Sequence, residues 1–237
     1  MRTIRPDKRH VLSAREAMAE VEGSINSSVD GFVVEEFDDH FMLHNVPLRG
    51  ENSMVQISKE YLERGRQYKP VDWIRRMRTA EWVEENEAYD IMTAPMYAAI
   101  ICELYKQSSS SSLRKVLHED FVKGVATGTV IEYNRQEEAK ICHYGRDKQT
   151  YDHGHIVTAS SRLNESIAEN VFGKELSELK DALEWLNGSV LVHTVSDMLD
   201  VQAPVVLSTR RMIHMTVSGG QRDYFARGMK YCRMDDI

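Results

Sequence analysis

Gly124 marks a change of period in this chain, and that change restricts the folds open to it. Before it, residues 113–122 carry Leu113, Val116, Leu117 and Phe121 at helical spacing. After it, VATGTVIEY places Val125, Thr127, Thr129, Ile131 and Tyr133 on one side of an extended segment. AKICHYG likewise places Ala139, Ile141 and His143 on one side and Lys140, Cys142 and Tyr144 on the other. Two period-two segments around the polar NRQEE connection predict an antiparallel hairpin. The elements that follow it lack the regular alternation of a doubly wound sheet, so the expected class is α+β.

Helical signals dominate the residues before Gly124. Ser13 and Glu16 have the capping-box spacing, Ser58 starts a short helix through Tyr61 and Leu62, and Asp72 caps DWIRRMRTAEWVEEN. Thr93 and Pro95 open a helix whose buried face is Met96, Tyr97, Ile100, Ile101 and Leu104. One strand pair is expected among them, Gly31 to Phe37 and Phe41 to Val46, with Asp38 to His40 as the turn. Beyond the hairpin, HIVTAS reads as a strand, and Ser160 or Ser161 caps a helix through Leu163, Ile167 and Val171. Gly173 separates that helix from another carrying Leu176, Leu179, Leu183 and Leu186. Strands are expected at 190–195, 204–208 and 212–217, with a short helix after Gly220. The resulting architecture is a helical N-terminal half, with an antiparallel or mixed sheet and packing helices in the C-terminal half. Ser108 to Ser112 divide a region 1–107 from a region 113–237, either as a linker or as an ordinary loop inside one domain.

Charge and cysteine content narrow the function classes. With 30 Lys and Arg against 37 Asp and Glu, the net charge is -7, which does not favour a nucleic-acid backbone as partner. Cys102, Cys142 and Cys232 are widely spaced and odd in number, as expected of a reducing compartment. The N-terminal MRTIRPDKRH leads into no apolar core of a secretory signal, and no run of 18 apolar residues occurs. The expectation is a cytoplasmic protein whose partner is a small molecule or another protein and not a membrane. Phe32, Phe37, Phe41, Trp73, Trp82 and Tyr97 can surround an apolar ligand or a partner groove, which leaves protein association, an oligomer included, open.

The densest chemistry lies in CHYGRDKQTYDHGH, residues 142–155. Strand alternation sets Cys142 and His143 on opposite faces. His153 and His155, two residues apart, share a side of an extended segment, and His143 can approach from the neighbouring strand. Imidazole nitrogens so placed suit a divalent transition metal, zinc, iron or nickel. The expected catalytic group is His143, Asp152, His153 and His155, with His153, His155 and His143 as metal ligands. In a metal-free version, a histidine acts as general base while Asp147 or Asp152 fixes its tautomer. A second, anion-binding candidate is Arg210, Arg211, Gly219, Gly220 and Arg222, where SGGQR can present backbone amides beside arginine charge. The leading expectation is a small hydrolase or phosphate-ester enzyme, metal-assisted or not. The alternative is a non-enzymatic binding or assembly protein.

Overall fold

The helix that follows Thr93 is enclosed on nearly every side. In the computed structural model it spans Ala94–Lys106 (α1), and every residue from Ala94 to Cys102, together with Leu104, is buried. The structure describes residues 31–48, 50–68, 72–73, 75–76, 89–108, 111–133, 139–143, 149–153, 160–162, 165–187, 191–194, 202–208 and 224–232. An apolar helix without a polar face needs cover all round. Here two antiparallel sheets and two other helices provide it.

The first sheet contains β1 (Val33–Glu36), β2 (His40–Leu48), β3 (Glu51–Tyr61), β4 (Asp90–Ile91) and β11 (Arg227–Cys232), in the order β1-β2-β3-β11-β4. The second contains β5 (Val125–Tyr133), β6 (Ala139–His143), β7 (Gln149–His153), β8 (Ser160–Arg162), β9 (Leu191–Thr194) and β10 (Gln202–Ser208), in the order β7-β6-β5-β10-β9-β8. Helix α2 (Ser112–Lys123) packs on β10 and on α4 (Leu176–Asn187), while α3 (Glu165–Phe172) and α4 pack on α1. Residues on both sides of the serine run, from Phe41 and Val55 to Leu183 and Leu207, join one hydrophobic cluster around α1. A smaller cluster, including Trp73, Ala126, Val206 and Tyr224, forms separately from it. No helix among the described residues is long and apolar enough to cross a membrane.

Helices and strands therefore interleave along the chain, and the expected helical N-terminal half is corrected. Three strands occupy residues 33–61. Ser58 starts no helix but lies opposite His40 within the β2–β3 pairing, because Val55 and Ile57 alternate into the core at period two. Leu48 pairs with Glu51, which leaves a two-residue turn containing Gly50 at φ +81°. Glycine tolerates that left-handed conformation without a Cβ clash. The expected pair around Asp38 to His40 is present as β1 and β2, and the hairpin after Gly124 pairs Thr129 with His143 through Tyr133 with Ala139.

Other expectations shift. Ser160 and Ser161 lie in β8 rather than at a helix start, and the next helix begins at Glu165. Most of the expected 72–86 helix, the Ser13 helix, and residues 212–217 lie outside the described residues. Within the first sheet β3 is joined to β4 by β11, a strand in the region after Gly220 where the sequence suggested a short helix.

A buried ion pair ties these parts together. Arg227 on β11 donates through Nε to Asp120 Oδ2 at 2.6 Å and through Nη2 to Asp120 Oδ1 at 2.5 Å; the side chains are 2% and 0% exposed. Arg227 Nη1 also donates to the carbonyls of Ser58 and Lys59 at 2.9 Å, and the Tyr97 hydroxyl donates to Asp120 at 3.1 Å. The guanidinium lies 4.3 Å from the centre of the Tyr61 ring. Burial, followed by the Asp120 charge, holds the Tyr97 hydroxyl well above the ordinary phenol range, so it remains a donor.

Removing one member leaves the other as an uncompensated buried charge. Asp120→Ala should lower unfolding free energy by about 3–5 kcal/mol, read from urea denaturation. The Asp120→Leu/Arg227→Met double variant should recover much of that loss. A single-variant cost below about 1 kcal/mol, the range of a surface pair, would contradict this role.

Candidate functional site

Two buried threonines on β5 begin the site. Thr127 and Thr129 are both fully buried, and a buried hydroxyl needs partners. Thr127 Oγ1 donates to the carbonyl of Val205 at 2.8 Å, where the β10–β5 register breaks between Pro204 and Val206. Thr129 Oγ1 accepts the Ala94 N–H at 2.9 Å and lies 2.9 Å from Nδ1 of His143. Between them, Gly128 allows the backbone to pass close to β4: a Cβ there would meet the Ile91 carbonyl oxygen at 2.6 Å. That close passage brings Thr129 to the first residue of α1.

His143, only 4% exposed, lines a cleft of about 530 Å³. Its walls come from elements distant in sequence. Pro47, Leu48 and Gly50 belong to the β2–β3 hairpin, and Pro95 and Ala99 belong to α1. The polar side is the end of α3 and the turn after it, with Glu169, Asn170 and Lys174. Gly173 ends α3 in the left-handed region at φ +65°. The following Lys174 N–H then turns back onto the Ala168 carbonyl at 3.0 Å, which sets Lys174 at the rim.

The charges around the cleft nearly balance. Glu169 is exposed, while the Lys174 side chain is 15% exposed and pairs with Glu178 at 3.6 Å. Glu178 also meets Lys106 at 3.1 Å. Partial burial would raise the Glu178 carboxyl, but the hydrogen bond from Lys106 and the neighbouring Lys174 charge hold it below its ordinary value. One imidazole, one carboxylate, one carboxamide and one ammonium thus face a partly apolar cavity. Its size falls within the range of small-molecule sites, and such a set can hold a polar ligand and stabilise negative charge on it.

Among the sequence-derived residues whose side chains are described, His143 lines this cleft. Both pairings of β6 are free of register breaks, so Cys142 and His143 face opposite sides of the sheet. The backbone register places Asp152 opposite Lys140 and His153 opposite Ala139, whereas His143 stands opposite Gln149. Four residues along a strand separate the His143 and His153 rows, roughly 13 Å. His193 falls in the row of Val206 and Ala126. His155, Arg210, Arg211, Gly219, Gly220 and Arg222 lie outside the described residues, as do Asp147 and His214. Among the described residues, no three His, Cys, Asp or Glu side chains gather as a metal site.

Sequence reasoning missed Glu169 and Lys174. Gly173 was a visible signal for a helix end, but nothing in local spacing shows which element that end faces. None of the three cysteines forms a disulfide. Cys102 is buried on α1, and burial pushes its thiol up to about 12. Iodoacetamide at neutral pH should leave Cys102 unmodified in the native protein and label it after denaturation, with the more exposed Cys142 and Cys232 reacting first. Peptide mass spectrometry reads the order; prompt native labelling of Cys102 would refute its enclosure.

No family model, curated protein or solved structure shows significant similarity to this chain.

Proposed function

We propose that the chain is a hydrolase of small esters, with phosphate esters as the favoured class, working at the His143 cleft. One observation supports this reading above others: a nearly buried histidine, hydrogen-bonded from behind by Thr129, shares a cleft with an ammonium and a carboxylate. Lys174 supplies positive charge for the substrate's anionic group. His143 meets the charge that develops as the ester bond breaks, and Glu169 is the carboxylate able to take a proton from water. The described residues of the cleft include no serine or cysteine, and this scheme takes water as the nucleophile. Its oxygen forms the new bond, its proton passes to Glu169, and the leaving alkoxide is reprotonated from that carboxylic acid or from solvent.

Turnover of a panel of small phosphomonoesters and carboxylic esters tests the proposal, with and without chelator. His143→Gln should reduce kcat/KM about 10²- to 10³-fold, the loss expected when one donor to a developing anion is removed. Lys174→Met should act mainly on KM. Full activity in His143→Gln, or no turnover of any panel member by the native protein, would overturn the reading. Loss of turnover on chelation and its return with zinc, iron or nickel would favour the metal-assisted form.

A second reading, protein binding, draws on one surface. The Arg114 guanidinium lies 4.1 Å from the Trp185 ring, and Tyr105, 37% exposed, packs at 5.9 Å from the same ring. Aromatic and arginine side chains of this kind are common anchors in interfaces. Concentration-dependent association abolished by Tyr105→Ala would favour that role, and an unchanged monomer at all concentrations would count against self-assembly.

A further inference from the structure

We propose that Thr129 is a positioning residue, whose hydroxyl fixes His143 as a neutral ring that accepts at Nδ1 and carries its proton at Nε2. The assignment follows from counting donors and lone pairs. A threonine hydroxyl has one proton and two lone pairs. The Ala94 backbone N–H can only donate, so it occupies one lone pair of Thr129 Oγ1. Among the described residues, the acceptor that Oγ1 meets for its own proton is Nδ1 of His143, at 2.9 Å.

In the opposite tautomer, an Nδ1–H would occupy the second lone pair. The hydroxyl proton would then be enclosed without an acceptor, at a side chain that is fully buried. Buried polar groups rarely remain in that condition. Ala94 N–H is itself one of the amides that the first turn of α1 cannot satisfy internally. A single relay therefore connects the start of the central helix, β5 and β6: Ala94 N–H to Thr129 Oγ1, and Thr129 Oγ1–H to His143 Nδ1.

This state gives the cleft a specificity. A neutral ring protonated at Nε2 donates there; it neither removes a proton at that atom nor offers Nδ1 to a metal while Thr129 occupies it. In the proposed reaction His143 therefore acts at Nε2 as a donor and not as a base, and proton abstraction falls to Glu169. That consequence rests on the cleft being the substrate site, whereas the tautomer itself does not depend on the reaction.

The test is long-range proton–nitrogen NMR on the full chain labelled with nitrogen-15 at histidine, at a pH where the ring is neutral, with His143→Gln identifying the signal. The native protein should show a protonated Nε2 and an unprotonated Nδ1. Thr129→Ser, which keeps the hydroxyl, should preserve that pattern. Thr129→Val, close in shape but without the hydroxyl, should lose the single-tautomer pattern. A native Nδ1–H, or an unchanged pattern in Thr129→Val, overturns the proposal. If Thr129→Val does not fold, the native tautomer and its retention in Thr129→Ser decide. Absence of ester turnover with the expected spectrum would defeat the hydrolase reading alone, while the wrong spectrum would defeat this proposal whatever the protein hydrolyses.

Discussion

The Asp120–Arg227 pair is the constraint to which much of the described fold answers. Two opposite charges enclosed among apolar groups are tolerable only when each hydrogen-bonding direction has a partner. Asp120 receives Arg227 through two nitrogens and Tyr97 through its hydroxyl, and the remaining guanidinium nitrogen reaches two carbonyls of β3. Those contacts fix α2, α1, β3 and β11 to one another. A one-residue slip would already turn the apolar set of a strand away from the core, and a displaced guanidinium would lose its partners as well. The pair thus contributes more to the choice of arrangement than to the net free energy of folding.

The cleft depends on this arrangement. Tyr97 belongs to the same helix as Pro95 and Ala99, so anchoring α1 to Asp120 also positions two residues of the cleft wall. The first amide of that helix meets Thr129, which Gly128 has brought within reach by giving β5 room beside Ile91. The remaining walls need little dedicated structure. A two-residue turn delivers the β2–β3 hairpin, and a left-handed glycine after α3 delivers Lys174. The polar groups of the site therefore rest on regular elements and tight turns close to the main core.

What was legible in the sequence followed periodicity. The β5–β6 hairpin was readable because its alternation runs unbroken on both sides of NRQEE, and that same alternation separated Cys142 from His143. Helix α1 was readable in extent, although a single buried face was expected and Ala98, Ala99 and Cys102 are buried too. Small residues on the second face register weakly against Met, Ile and Leu, but they fit a helix enclosed between layers. Strand β3 was misread because Ser58 resembled a cap; the signal overlooked was Gly50, a turn residue between two extended runs. For the candidate site, spacing drew attention to His153 and His155, of which His155 lies outside the described residues; the described cleft brings His143 together with Glu169 and Lys174. Spacing along one segment could mark His143 as a candidate. It could not reveal companions contributed by a helix end more than twenty residues away.

The place of β11 in the first sheet bears on how the chain is made. Its residues enter between β3 and β4, and the hydrogen bond from Arg227 to Ser58 spans 169 positions. A ribosome delivers the early strands long before that partner emerges. Throughout this interval β3 presents an unfilled edge, open to any extended segment nearby, and contacts of such long range form slowly. The order of events matters here: the sheet begun first receives β11 last, and its vacant seam is where a stalled or crowded chain would go astray.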